Sequence, residues 1–152
     1  MKRILAAAAA LLLICTAAAC GEYNDAGLAA VGDKIGQTVS GYAAGESPVD
    51  VPDQVESAVF IKESADIVSD IVAVYRSETA EKAAEIESLC RAYLDDRCDP
   101  DYINQVSAYD LISAAKLKSA EVFRTENYVV LCISDAATVK NVKNALKEAL
   151  QG

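Results

Sequence analysis

Six consecutive apolar residues near the end of the chain limit the folds that this sequence can adopt. Tyr128 to Ile133 read YVVLCI, so both alternating faces of an extended segment are apolar there. Such a strand belongs in the middle of a sheet, because a strand with one face in water alternates apolar with polar residues. The segments Glu121 to Arg124 and Asn127 to Ile133 together predict a β-hairpin.

A second hairpin is predicted earlier in the chain. Ser57 to Lys62 and Ile67 to Tyr75 are rich in β-branched and aromatic residues, and the polar residues 63–66 separate them. A helix then begins at Ser77 or Thr79 and runs to about Arg97.

Two further start signals predict helices. Asp99 is a candidate N-cap and Pro100 suits the first helical position, and an apolar stripe continues this helix through Tyr102, Val106, Tyr109 and Ile112. Asp135 caps a final helix that directs four residues at the core: Val139, Val142, Leu146 and Leu150. The predicted fold for residues 56–152 is a small two-layer α+β domain, with an antiparallel sheet of two hairpins packed against two to three helices.

The N-terminus has the pattern of an export signal. Lys2 and Arg3 precede the apolar run Ile4 to Ile14, and small alanines follow. The run is shorter than the roughly 20 residues of a transmembrane helix, so we expect residues 1–19 to be a signal peptide that is removed.

The end of this segment, Ala17-Ala18-Ala19-Cys20-Gly21, resembles the signal of bacterial lipoproteins. The resemblance implies a diacylglycerol on Cys20 and an extracytoplasmic protein anchored to the outer face of the cytoplasmic membrane. The alternative is that the chain is cleaved after Ala19 and secreted without a lipid.

Residues 20–55 are predicted to be a flexible, lipid-anchored tether. Six of the seven glycines and two of the three prolines of the chain fall there. Leu28, Val31 and Ile35 recur at helical spacing, so the alternative is an N-terminal helix packed on the domain.

Three features of the last hundred residues carry a second, separate resemblance. These are residues 70–75 (DIVAVY), Tyr102 after the helix break, and residues 127–135 (NYVVLCISD). They resemble an uncharacterised domain-of-unknown-function family of Gram-positive surface lipoproteins, which implies a fold and a location but no catalytic residues. Glu126 stands where the family favours glycine, so we expect the positive φ of this turn on Asn127.

Charge and composition exclude several functions. Loss of residues 1–19 leaves 12 Lys and Arg against 23 Asp and Glu, a balance that excludes a nucleic-acid ligand. The chain has no histidine, so His-dependent catalysis is excluded, and we expect no enzyme activity and no cofactor. Ser113 to Lys116 match an S-x-x-K motif by coincidence, because its companion motifs are missing.

Cysteines and acidic residues give no predicted metal site. Cys90, Cys98 and Cys132 form no C-x-x-C pair, and we interpret them as unpaired buried thiols, with a Cys90 to Cys132 disulfide left open. The acidic segment 95–101 lacks the spacing of a calcium loop and is interpreted as a solvated corner between helices.

A lysine stripe is the remaining candidate contact. Lys140, Lys143 and Lys147 would lie on one side of the last helix, where they contact an anionic surface or simply face solvent. We expect a non-catalytic envelope interaction module whose partners are the membrane, through the lipid on Cys20, and an envelope protein or cell-wall polymer. The alternative is a small-ligand-binding module at the same membrane face.

Overall fold

The structure is a computed structural model that describes residues 23–151 of the 152-residue chain. The helices within this range are α1 (Gly27–Gly36), α2 (Ala80–Arg97), α3 (Pro100–Ser107), α4 (Leu111–Ser119) and α5 (Ala136–Gln151). The strands are β1 (Ala43–Ala44), β2 (Glu56–Lys62), β3 (Asp70–Arg76), β4 (Glu121–Thr125) and β5 (Tyr128–Ile133). The predicted signal peptide, residues 1–19, and Cys20 lie outside the described residues.

The strands form one antiparallel sheet in the order β1-β2-β3-β5-β4. Both predicted hairpins are present, β2 with β3 and β4 with β5. All six residues of β5 are buried between its two neighbouring strands, which confirms the central strand predicted from its apolar run. The α+β class with an antiparallel sheet is confirmed.

Helices cover both faces of the sheet. α1 and α5 pack on one face in a core that includes Val72 and Val130. α2 packs on the other face in a core that includes Ala73 and Leu131. The structure thus has one helical layer more than the predicted two-layer arrangement, because α2 and α5 pack on opposite faces of the sheet.

The tether predicted over residues 20–55 is wrong for the part that the structure describes. Val31 and Ile35 of α1 have no exposed surface, and Val39 and Val49 are also buried. A flexible tether cannot bury these side chains, so the structure shows the alternative, an N-terminal helix packed on the domain. The domain begins near Tyr23 rather than at residue 56.

Local capping signals position the helix starts as expected. The Thr79 hydroxyl accepts a hydrogen bond from the Lys82 backbone N–H at 3.2 Å, so Thr79 rather than Ser77 is the N-cap of α2. The Asp99 carboxylate accepts from the Asp101 N–H at 2.9 Å and caps α3. Each cap satisfies backbone donors that the first helical turn leaves unpaired.

The β4–β5 turn departs from the prediction. Glu126, with φ of 50°, has the positive φ that was expected on Asn127. The Asn127 side-chain amide donates to the Ser77 carbonyl at 3.0 Å, and the Asn127 carbonyl accepts from the Ser77 N–H at 3.0 Å. Because these bonds hold Asn127 against the end of β3, the exposed Glu126 takes the left-handed conformation.

Glu126→Gly is expected to raise the free energy of unfolding by about 1 kcal/mol, because glycine adopts a positive φ without the steric cost of a side chain. The matched control is Thr125→Gly, since Thr125 ends β4 with ordinary strand geometry. That control should lower the free energy of unfolding by about 0.5–1 kcal/mol. Urea denaturation followed by circular dichroism measures both, and a loss of stability in Glu126→Gly would contradict the prediction.

Candidate interaction surface

Four large apolar side chains are exposed at one end of the molecule. Their exposed fractions are 58% for Ile67, 89% for Tyr109, 76% for Leu111 and 60% for Ile112. Tyr109, Leu111 and Ile112 lie within two positions of Asp110 in the sequence, and the Asp110 carboxylate accepts a hydrogen bond from the Ile67 backbone N–H at 2.9 Å. We call these four residues the apolar surface. Grouped exposed apolar side chains, unlike scattered ones, are typical of binding sites.

A helix break creates this surface. The predicted stripe required one continuous helix, but α3 ends at Ser107 and α4 begins at Leu111. Asp110 has extended backbone and caps α4, accepting from the Ser113 N–H at 2.9 Å and from the Ser113 hydroxyl at 2.5 Å. The stripe is therefore wrong for Tyr109 and Ile112, which the break directs to solvent. It is also wrong for Tyr102, which is exposed, whereas Val106 is buried.

The bonds to Asp110 also stabilise its charge. The Ser113 hydroxyl, followed by the Ser113 and Ile67 backbone N–H groups, lowers the pKa of Asp110 to about 2. The carboxylate therefore stays ionised, and its bonds to α4 and to the β2–β3 loop persist through the physiological pH range.

The β2–β3 loop, residues 63–69, is fixed to α4 by buried polar contacts. The Ser113 hydroxyl accepts from the Val68 N–H at 2.8 Å. The Lys116 ammonium lies 2.7 Å from the Asp70 carboxylate and 3.0 Å from that of Asp66, and it donates to the Val68 carbonyl at 3.1 Å. These bonds hold the backbone on both sides of Ile67, so Ile67 is presented from a fixed loop.

Lys116 is a buried cation with two carboxylate partners, Asp66 and Asp70. The Lys116 side chain is 7% exposed, and that of Asp70 is 9% exposed. Burial alone lowers the pKa of Lys116, but the hydrogen bonds to Asp70 and Asp66 outweigh it and raise the pKa above its ordinary value. Lys116 is therefore charged, and its removal leaves the buried Asp70 carboxylate without a cation.

The hydrogen bonds around Lys116 continue past the sheet to the N-terminal segment. Asp70 accepts from the Ser134 hydroxyl at 2.6 Å, and the hydroxyls of Ser134 and Tyr42 are 3.0 Å apart. Burial raises the pKa of Tyr42 to about 12, so its hydroxyl stays protonated. One chain of hydrogen bonds thus joins the N-terminal segment, both central strands and α4.

The S-x-x-K residues belong to this structural network. Ser113 has no exposed surface, and its hydroxyl donates to Asp110 while accepting from Val68. Lys116 is held by carboxylates. A serine nucleophile needs access to substrate, and the buried Ser113 has none in this structure.

The lysine stripe of α5 is only partly available for a ligand. Lys143 bonds to Glu121, and its ammonium lies 5.3 Å from the centre of the Phe123 ring. Lys140 and Lys147 are exposed and form no ion pair with any residue from 23 to 151. The predicted contact of Lys140, Lys143 and Lys147 with an anionic surface remains a prediction, with Lys143 already engaged.

The cysteines are unpaired thiols in the described range. Cys90 lies in the core on the α2 face, whereas Cys132 points into the core on the α1 and α5 face. The disulfide left open between them is wrong, because the sheet separates the two side chains. Burial raises the pKa of each thiol to about 12, so both are unreactive in the folded protein.

The structure reveals two absences within residues 23–151. No group of three or more acidic or cysteine side chains is placed to hold a metal ion. No helix in this range has the length and apolar character needed to cross a membrane.

Comparisons with known proteins do not assign this chain to a family. No family model matches the chain, and no match was found among curated proteins or among solved structures. The resemblance to surface lipoproteins therefore stays a prediction.

Proposed function

We propose that this protein is a lipid-anchored extracytoplasmic module that binds another envelope protein through the apolar surface. The signal-like N-terminus with Cys20 supports the location. The observation that carries the binding role is the exposure of four apolar side chains beside backbone that hydrogen bonds to Asp110, Ser113 and Lys116 hold in place. These side chains are those of Ile67, Tyr109, Leu111 and Ile112. A fixed apolar surface loses little conformational entropy on binding.

Charge indicates the chemistry of the partner. The segments 63–70 and 95–112, which include all four residues of the apolar surface, contain eight Asp or Glu and a single basic residue, Arg97. Two of these acids, Asp66 and Asp70, are paired with Lys116, so six remain. A complementary partner presents apolar side chains surrounded by Lys and Arg. A second copy of this chain is disfavoured, because acidic segments would then meet acidic segments. An anionic lipid surface is disfavoured for the same reason.

A photo-crosslinking amino acid at Tyr109, incorporated in cells, tests this proposal. We expect a reproducible adduct with one envelope protein, and a second substitution, Leu111→Asp, should lower its yield by about 30-fold, equivalent to a hot spot of about 2 kcal/mol. Asp at the first position of α4 is compatible with the helix dipole, so the fold should be retained.

The matched control is Leu89→Asp, which changes an exposed leucine of α2 outside the apolar surface. It should leave the adduct from Tyr109 unchanged. If Leu111→Asp and Leu89→Asp have equal effects, or if Tyr109 gives no specific adduct, the proposed binding role is wrong.

A further inference from the structure

The described chain is attached to the domain from its first residue. The Tyr23 hydroxyl bonds to the Asn127 side-chain oxygen in the β4–β5 turn, and the Asn24 N–H donates to the Leu150 carbonyl at the end of α5 at 3.0 Å. Both contacts lie at the end of the sheet where β3 finishes and β5 begins. We call this the anchor end.

Asp25 completes the attachment. Its carboxylate accepts from the Arg76 guanidinium at 2.6 Å and 3.1 Å and from the Tyr128 hydroxyl at 2.8 Å, and it also accepts from the Gly27 N–H at 3.2 Å. Arg76 holds the pKa of Asp25 well below its usual range. Asp25 is therefore ionised at neutral pH, and its ion pair with Arg76 holds the first described residues against the domain.

Only Gly21 and Glu22 separate Cys20 from Tyr23. Three residue steps of fully extended chain span at most about 10 Å. We infer that the domain sits directly on the bilayer, with the anchor end facing the lipid headgroups and the apolar surface pointing away from the membrane. This inference rests on the proposed lipid at Cys20.

The direction of β3 places the two sites at opposite ends. β3 begins at Asp70, which binds Lys116 beneath the apolar surface, and ends at Arg76, which binds Asp25 at the anchor end. Seven strand residues cover about 20 Å. The apolar surface therefore lies about 20 Å from the anchor end along β3, and lipid at the attachment point does not compete for the surface.

The chemistry of the anchor end suits headgroups. Tyr23 is 40% exposed, and tyrosine is favoured at the interface between water and lipid. Two acidic side chains at this end share one cation, since Arg76 bonds to Asp25 at 2.6 Å and to Glu56 at 2.8 Å, so one of their two negative charges is offset within the domain. Paired charges reduce the repulsion that a net acidic protein meets at an anionic membrane.

Tryptophan fluorescence tests the orientation, because the natural chain contains no tryptophan. The lipidated full-length protein is purified in three single-tryptophan forms, Tyr23→Trp, Gln151→Trp and Tyr109→Trp, and placed in phosphatidylcholine vesicles that contain brominated lipid. Gln151 ends α5 beside Leu150 and serves as the second anchor-end probe. We expect brominated lipid to quench both anchor-end variants several-fold more than Tyr109→Trp.

Insertion of about 20 Gly and Ser residues between Glu22 and Tyr23 is the control, since such a linker frees the domain from the surface. It should abolish the difference between the probes. Equal quenching without the insertion, in protein whose N-terminal peptide carries diacylglycerol, overturns the orientation and leaves the anchor proposal standing. An N-terminal peptide without diacylglycerol overturns both.

Discussion

Lys116→Met is expected to lower the free energy of unfolding by about 3–5 kcal/mol, the usual cost of removing one partner from a buried ion pair. The variant leaves Asp70 buried without its cation, and Asp66 and the Val68 carbonyl lose their donor. Methionine fills a similar volume, so the loss reports the charge and its hydrogen bonds rather than a cavity. Urea denaturation followed by circular dichroism measures it.

Lys118→Met is the matched control, because Lys118 lies on the same helix but is exposed. Its effect should stay within about 0.5 kcal/mol. The double variant Lys116→Met with Asp70→Asn should recover a substantial part of the loss, since the asparagine side chain is uncharged and its amide oxygen can still accept from the Ser134 hydroxyl. If the double variant is no more stable than Lys116→Met alone, uncompensated charge is not the cause of the loss.

Lys116→Met also links the stability of the fold to the proposed binding role. Lys116 holds both Asp66 and Val68, and these residues flank Ile67. We expect the β2–β3 loop to become mobile in Lys116→Met even where the variant remains folded. Its amide protons should then exchange faster, while those of β5 keep most of their protection.

Several elements could be predicted because their signals are local or strongly periodic. Asp99 followed by Pro100 defines a helix start within two residues, and the structure places the cap there. The six apolar residues of β5 identify a central strand without knowledge of its neighbours. In each case the residues whose pattern predicts the element also make the hydrogen bonds or the core contacts that stabilise it.

The break between α3 and α4 could not be predicted from periodicity. An apolar stripe through Tyr109 and Ile112 is compatible with one long helix, and the competing signal is the ability of Asp110 to cap a new helix. Which signal prevails depends on contacts distant in sequence, since Asp110 also accepts from the Ile67 N–H. The buried pairing of Asp70 with Lys116 was missed for the same reason, because 46 positions separate the two residues.

The N-terminal segment was misinterpreted because glycine has two structural meanings. Glycine-rich sequence favours flexible linkers, but glycine also allows the backbone to approach another element closely. A Cβ on Gly36 would lie 3.3 Å from the Phe60 ring, and one on Gly45 would collide with the Ile61 side chain. These glycines pack the segment onto β2, and composition alone does not distinguish the two roles.

Ile35→Ala separates these two interpretations by a measurement of stability. Ile35 has no exposed surface and packs in the core between α1, α5 and the sheet, so truncation to alanine should lower the free energy of unfolding by about 2–5 kcal/mol. If residues 20–55 were a tether, the same change would have no measurable effect. Urea denaturation of the chain from Gly21 onward, produced without its signal, gives the value.

Asp33→Ala is the matched control on the same helix, because Asp33 is exposed and its side chain makes no hydrogen bond or ion pair with any other residue from 23 to 151. Alanine is a strong helix former, so the change should stay within about 0.5 kcal/mol. A large loss in Ile35→Ala alone means that α1 is part of the folded domain, which a fixed orientation on the membrane requires. Equal, negligible effects of the two substitutions would restore the flexible tether and remove the physical basis for that orientation.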